Sequence, residues 1–504
     1  MTDRLSAPVR PPVAARSWRT GVSPWPVAAV CAVFVVAQLA LTVRGSGLGW
    51  DETVYTSQVS GHVPAAFFSA PRARGVSFAA APVAWLTGST TALRLWMGAL
   101  SGAGLFAALW PWRPLLPPRL LALAAALLAS LWISLFYGPA VMPNLGSAYG
   151  ALAATGCLVR AAQAPAAGGG RRARWGLPAG LAAGLAVTGL MRPPDALWLA
   201  AALGCAALVV ARGRRGVVLA ALGAGLVLGC GEWVIEAYVR YGGLAERLHQ
   251  ASAIQGGLGW HVAFADQLRS LDGRTLCRPC DGPWRHKAAS AWWLLLPFAA
   301  AAGVAAAPRA RRTAVAVAAV AGVFLAAPYL LTIGYAAPRF LLPAYALLAI
   351  PVAECVRRLA VGPGGRWRPV PTALVAVALC AHLVVQLAVL HGVTRNNRLL
   401  SREYAAVAAR LHAHGVRPPC VLSGDNAVPV AYYAGCASRQ MAGPDQSITA
   451  GELSALSRRE PAALLIPAGQ AAPGFAAGWT CVALPLSPEP AGERACMPAT
   501  GARR

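Results

Sequence analysis

Two adjacent carboxylates, Asp51 and Glu52, follow Trp50 just past the first long apolar stretch of a 504-residue chain that carries only 18 acidic residues. Ionised carboxylates are expensive to hold at a bilayer boundary, so a pair of them there reads as a catalytic site at the water face of a membrane. One can take a proton from a hydroxyl while its neighbour positions the group that is deprotonated. Arginines recur at comparable places. Arg72 and Arg74 lie in the same loop, Arg192 in Met191-Arg192-Pro193-Pro194-Asp195, and Arg339 in Pro338-Arg339-Phe340-Leu341-Leu342-Pro343-Ala344-Tyr345. A single interfacial arginine can do no more than snorkel to water. On one face with Asp51, however, these cations suit a phosphate and the carboxylate suits proton removal, a combination fit for phosphoryl-lipid chemistry. Tyr55, Asp195 and Tyr345, embedded in the same segments, complete the set as substrate-binding candidates.

The elements that must position these groups are membrane helices. Hydrophobic residues make up 57% of the chain and charged ones 12%, and apolar runs of about 18 to 22 residues recur, the length a bilayer requires. The runs predict about eleven spans, at 25–43, 92–111, 120–137, 144–160, 177–192, 196–211, 217–239, 290–307, 313–333, 340–356 and 370–391. The chain divides accordingly into a basic tail (1–24), a transmembrane part (25–391) with long outer loops at 44–91 and 240–289, and a terminal domain (392–504). In the first loop, Ala65 to Phe68 and Val76 to Leu86 are too short to span and suited to lying in the interface.

A net charge of +26 invites a nucleic-acid reading, but its distribution argues against one. Arg4, Arg10, Arg16 and Arg19 precede the first span, and further clusters (Arg113 and Arg119; Arg171, Arg172 and Arg174; Arg212, Arg214 and Arg215; Arg309, Arg311 and Arg312; Arg357, Arg358, Arg366 and Arg368) fall in every second connection. That is the positive-inside pattern, with the N-terminus in the cytoplasm and both Asp51 and the terminal domain outside the plasma membrane. The first apolar run lacks a small-residue cleavage site and reads as a retained anchor. Around Gly168 to Gly170 the inner connection reads as a flexible linker. Gly223, Gly225, Gly229 and Gly231 lie within a span with no Lys-Ser/Thr partner, so they suit helix packing rather than phosphate binding.

Cysteines follow the same sidedness. Cys420, Cys436, Cys481 and Cys496 form an even set in a region expected to face an oxidising space, so two disulfides are expected, with sequence neighbours the simplest pairing. Cys277 and Cys280 form a Cys-x-x-Cys in the second outer loop. A zinc knot there lacks two closely spaced ligands, and a redox role lacks a thioredoxin-like context, which favours a local staple. From about residue 400 the texture becomes that of a small α/β domain: helix-like Arg402 to His414, strand-like Cys420 to Ser423, helix-like Val428 to Ala434 and strand-like Ala463 to Pro467. It carries no Gly-rich nucleotide fingerprint and reads as an acceptor-side or packing module.

On these residues the chain resembles the GT-C superfamily of membrane glycosyltransferases, in the branch of protein O-mannosyltransferases and lipid A aminoarabinose transferases. The resemblance rests on the N-in helical bundle, Asp51-Glu52 after the first span, interfacial helices in the first loop, the Arg-Phe-x-x-Pro start of a late span and the outer C-terminal domain. It departs from that family at Pro71-Arg72-Ala73-Arg74-Gly75, where members carry a His-Pro-Pro-like stretch. The resemblance implies an α-helical polytopic fold and inverting transfer of a sugar from a polyprenyl-phosphate donor to a hydroxyl of an unspecified envelope acceptor. Asp51 is then the base, and Arg339 with Arg72, Arg74 or Arg192 meets the lipid phosphate. No metal is obligatory, although a divalent cation bridged by Asp51 and Glu52 is compatible with the pattern. The competing classes are a flippase of lipid-linked sugars, which predicts paired repeats with broken spans, and a non-catalytic scaffold, which leaves Asp51, Glu52 and Arg339 free to vary.

Overall fold

The computed structural model describes residues 23–163, 171–257, 259–284, 286–362, 366–484 and 492–498. The expected basic tail lies almost wholly outside the described residues, as does the linker around Gly168 to Gly170.

Eighteen α-helices are present among the described residues: α1 (Trp25–Gln38), α2 (Trp50–Ser57), α3 (Gly75–Ala84), α4 (Thr90–Leu109), α5 (Pro118–Ala129), α6 (Trp132–Tyr137), α7 (Pro143–Gln163), α8 (Arg171–Met191), α9 (Pro193–Val210), α10 (Arg215–Arg240), α11 (Leu244–Ile254), α12 (Phe264–Ser270), α13 (Ala291–Ala306), α14 (Arg309–Leu331), α15 (Leu342–Ala360), α16 (Pro369–Ala413), α17 (Ala427–Ala434) and α18 (Ala450–Ser457). All eleven apolar runs are helical, but only 8 helices among the described residues are long and apolar enough to cross a membrane. The count of eleven is therefore not reached on those grounds. Run 120–137 breaks into α5 and α6 at Ser130-Leu131. The run at 144–160 falls in α7, whose buried face carries Asn144, Ser147 and Thr155. The apolar part of α8, Trp175–Met191, is one of the shorter helices.

Proline sets several boundaries. Pro193 and Pro194 cannot extend the hydrogen-bond ladder of α8, and the residue before a proline is driven out of the helical region. Arg192 accordingly sits extended at φ −152°, ψ 94°, and α9 restarts immediately after it. Pro338 opens a 3₁₀ turn, Pro338–Leu341, that runs into α15. The span starting at Pro338 is the most enclosed, 83% buried over its most apolar window against 11% for α16. Arg339 is thereby delivered to the middle of the bundle's end rather than to its rim.

Two expectations about the outer segments need correction. The transmembrane part and the terminal domain are not separated near residue 391, because α16 runs 45 residues without a break from the helical bundle into the terminal domain. No proline falls in His391 to Arg395, and Gly392 weakens the helix without ending it, so the ladder continues through the polar stretch Arg395-Asn396-Asn397-Arg398. In the first loop, Val76 to Leu86 contains helix α3, whereas Ala65 to Phe68 takes no regular secondary structure.

Beyond α16 lies a five-stranded sheet: β1 (Val421–Gly424), β2 (Ala437–Ser438), β3 (Ala462–Pro467), β4 (Thr480–Ala483) and β5 (Glu493–Met497), in the order β2-β1-β3-β5-β4. β1 is parallel to β2 and β3, while β5 runs antiparallel to β3 and β4. Disulfides join Cys277 to Cys280, Cys420 to Cys436 and Cys481 to Cys496, the neighbour pairing expected. The domain docks on the chain just before Asp51. Leu48 N–H donates to the Tyr433 hydroxyl at 2.7 Å and Gly47 N–H to Ser401 Oγ at 3.2 Å. A Cβ on Gly47 would lie 2.4 Å from the Ser401 Cβ, so only glycine permits this approach.

Candidate active site

The first loop, the long loop between α10 and α13, the starts of α7, α9 and α15 and the terminal domain converge on Asp51. Short helix α2 carries it in its first turn, where the positive end of the helix dipole favours acids. Asp51 and Glu52 point to different partners. Glu52, 6% exposed, closes the helix start by accepting from Gly49 N–H at 3.0 Å, as an N3 glutamate does in a capping box. It also accepts from Arg94 Nη2 at 2.9 Å and, through its other oxygen, from Val141 N–H at 3.0 Å. Both of its oxygens are thus committed to holding α2, α4 and the approach to α7 together.

Asp51 is the open member, its side chain 36% exposed. Its Oδ1 accepts from Arg72 Nη2 at 3.0 Å and its Oδ2 from Arg339 Nη2 at 3.1 Å. Burial pushes its carboxyl up, but the guanidiniums of Arg72 and Arg339 more than reverse this and hold it below the usual carboxylate range. Arg72 also reaches Asp445 of the terminal domain at 2.5 Å, and the other oxygen of Asp445 accepts from Trp50 Nε1 at 2.8 Å. Arg339 Nη1 donates to the carbonyl of Thr275 at 2.6 Å. Three separate stretches of chain are therefore joined through two arginines.

A cavity opens on either side of the Asp51–Arg339 pair. One, of about 510 Å³, is lined by Trp50, Asp51, Tyr137, Arg274, Arg339, Asn396, Asn397 and Tyr404 among others. The second, of about 360 Å³, is lined by Asp51, Tyr55, Arg72, Asn144, Arg192, Arg278, Tyr335, Arg339 and Asp445 among others. Cations are concentrated in the second. Arg192 donates to the Tyr329 hydroxyl at 2.6 Å and pairs with Asp195 at 3.2 Å. Among the described residues Arg278 forms no ion pair, resting over the Tyr335 ring at 4.9 Å and donating to the carbonyl of Ile254.

Of the residues singled out from sequence, Asp51, Arg72, Arg192, Arg339 and Tyr55 meet at these cavities. Three others do not serve as expected. Arg74 is withdrawn to Glu236, its Nε and Nη2 both donating to Oε1 at 2.9 and 2.6 Å, and lines neither cavity. Asp195 is 1% exposed, its oxygens taken by Ser147, the Tyr329 hydroxyl and Arg192, so it locks α7, α9 and α14 rather than facing a substrate. Tyr345 is the fourth residue of α15, where the helical rotation packs it on Trp292 of α13, with ring centroids 5.3 Å apart, and away from both cavities. Asp51 and Glu52 likewise do not form a joint cation site, each being held by its own arginines. Among the described residues no group of three or more metal-ligating side chains is assembled.

Sequence reasoning missed Asp445, Arg278, Asn144, Asn396, Asn397 and Arg247. Arg247, fully buried on α11, donates to the carbonyls of Ala70 at 3.0 Å and Arg72 at 3.0 Å and pairs with Glu236, fixing the loop that presents Arg72. Gly75 at the end of that loop abuts Leu190, whose carbonyl oxygen would stand 2.4 Å from an added Cβ. The rarity of acids was the one signal that pointed toward Asp445 and Glu236; nothing local marked the amides.

No family model matches the chain, and no curated protein matches it in sequence. Solved structures do match. ArnT from Cupriavidus metallidurans bound to undecaprenyl phosphate superposes with a TM-score of 0.67 over 95% of this chain and 99% of that one, at 13% identity. Its apo state gives 0.64 over the same shares. The apo oligosaccharyltransferase of Archaeoglobus fulgidus gives 0.52 over 90% of this chain and 70% of that one, at 12% identity. These are GT-C superfamily membrane glycosyltransferases. The chain has the GT-C fold. The superposition with ArnT includes both the helical bundle and the terminal domain, since almost the whole of each chain is covered.

Proposed function

We propose that this protein is a membrane glycosyltransferase that moves a sugar from a polyprenyl-phosphate donor to an acceptor hydroxyl at the outer membrane face. The observation that carries this reading is the placement of Asp51 between two cavities, one of them rich in arginine, with Arg339 shared by both. The GT-C fold, and the undecaprenyl phosphate bound by the structurally similar ArnT, support it.

The charge asymmetry supports a division of labour between the cavities. A lipid phosphate suits the side that gathers Arg72, Arg192, Arg278 and Arg339, because guanidinium forks bind phosphate bidentately. The acceptor then approaches from the side of Asn396, Asn397 and Tyr404 on α16. Its hydroxyl oxygen bonds to the anomeric carbon as the bond from that carbon to the phosphate oxygen breaks. The hydroxyl proton passes to Asp51, and the electron pair leaves on a phosphate whose charge Arg339 and Arg72 offset. The products are a glycosylated acceptor and the polyprenyl phosphate.

The ion pairs of Asp51 give this scheme an order. While Arg72 and Arg339 both hold its carboxylate it is a weak base. A donor phosphate competes for the same guanidiniums and adds a second negative charge beside it. Both effects raise the Asp51 pKa, so the base becomes competent when the donor is seated. The test separates binding from chemistry in purified full-length protein. Asp51→Asn keeps the shape and loses the proton acceptor, so transfer should fall by roughly 10² to 10⁴ while undecaprenyl-phosphate binding holds or tightens. Arg339→Lys keeps charge without the fork and should weaken that binding. Normal transfer in Asp51→Asn would remove the carboxylate from the mechanism.

A further inference from the structure

Asn144 stands at the second position of α7 and lines the arginine-rich cavity. It is fully buried, yet neither Nδ2 nor Oδ1 has a hydrogen-bond partner among the described residues. An unpaired buried polar atom forfeits the hydrogen bonds it made to water, and here two such atoms sit on one side chain. Native interiors keep few groups of that kind, and each calls for an explanation; this one lines a cavity with both of its amide atoms unpaired. The position of this amide is fixed from nearby. Three residues earlier, Val141 N–H is held by Glu52, the neighbour of Asp51. Two residues earlier, Met142 lines both cavities.

The identity of the missing partner follows from the amide's two-sided chemistry. A phosphate only accepts hydrogen bonds; it would satisfy Nδ2 and repel Oδ1, and the arginines of the cavity already serve it. A polyprenyl chain would satisfy neither atom. A pair of neighbouring sugar hydroxyls satisfies both, one accepting from Nδ2 and the other donating to Oδ1. Resting on the donor assignment above, we infer that Asn144 is a sugar-recognition residue, reading a hydroxyl pair on the ring that the polyprenyl phosphate carries. This makes the start of α7 the wall that distinguishes a loaded donor from the spent lipid, which has a phosphate but no ring hydroxyls. A site built to bond a hydroxyl discriminates strongly against a ligand without it.

Full-length protein in nanodiscs would be titrated with undecaprenyl phosphate and with undecaprenyl phosphate carrying glucose, mannose or arabinose. Wild type should bind at least one glycoside more tightly than the bare lipid. In Asn144→Leu that preference should shrink on the order of 10- to 100-fold with bare-lipid binding unchanged. The ligand-free variant should unfold at or above the wild-type temperature, since an unpaired amide has been replaced by an apolar group of similar size. Asn144→Ala repeats the binding measurement should leucine prevent folding. An unchanged preference in the variant overturns the inference and leaves an ordered water as the amide's partner. Equal weakening of bare lipid and glycosides also overturns it, as does a wild type that prefers no glycoside. Failure of wild type to bind even the bare lipid overturns the donor reading itself.

Discussion

Replacing Glu52 with alanine should unfold the protein at a lower temperature while leaving the ion pairs of Asp51 with Arg72 and Arg339 in place, and the structure gives the size of the effect. Glu52 is the anionic partner of Arg94, which is 3% exposed, and it accepts two backbone N–H groups besides. Removing one member of a buried ion pair leaves the other charge uncompensated and destabilises by about 3–5 kcal/mol. Arg94 keeps carbonyl acceptors at Gly47 and Pro139, which places the expectation near the lower end of that range. Asp51→Asn should behave differently. Its carboxylate is one-third exposed, Arg72 retains Asp445 and Arg339 retains the Thr275 carbonyl, so a loss of about 1 kcal/mol or less is expected. Denaturant titration and thermal unfolding of detergent-purified protein, alongside a transfer assay, read both quantities. Glu52→Ala should lose stability, with any fall in rate tracking the unfolded fraction, while Asp51→Asn should lose rate with stability nearly intact. Were Glu52→Ala to keep wild-type stability while losing transfer as completely as Asp51→Asn, the division between a structural and a chemical carboxylate would be refuted.

Because Asp51 titrates below an ordinary carboxylate when folded, its pairs stabilise the protein above the unfolded pKa of about 3.9, and that contribution is lost as pH falls through the folded value. The stability difference between wild type and Asp51→Asn should therefore stay flat from neutral pH down to about 5 and shrink only below about 4; shrinkage already near pH 6 would mean the carboxyl is raised instead. Replacing Cys420 and Cys436 together by serine opens a disulfide between residues 16 apart and should lower stability by about 3 kcal/mol. Peptide mapping without reduction should recover Cys420 joined to Cys436 and Cys481 joined to Cys496. For topology, an impermeant thiol reagent added to intact cells should label Trp260→Cys, which stands 86% exposed in the second outer loop, and should spare Gly213→Cys in the arginine-bearing turn between α9 and α10. Labelling of the second alone would invert the orientation.

What the sequence determined by itself was everything governed by local composition and period. Apolar run length decided that α1, α4, α9, α10 and α13 to α16 are membrane-length helices. The pairing of Pro193 with Pro194 marked the break at Arg192, and the even cysteine count pointed to disulfides in the terminal domain, whose connectivity only the structure supplied. The scarcity of acids was enough to single out Asp51. Which of two neighbouring carboxylates is open was decided only in three dimensions, by Arg94 and the Val141 amide, which lie 42 and 89 residues from Glu52. The same holds for the arginines: type and position along the chain were alike for Arg72 and Arg74, but Glu236 captures Arg74 while Asp51 and Asp445 share Arg72. Charge partners separated by more than a hundred residues leave no periodic trace, because their pairing depends on how whole helices pack and not on the spacing within any one of them. Asn144 is the extreme case, an ordinary residue at the start of a helix whose lack of a partner appears only once every neighbour has been placed.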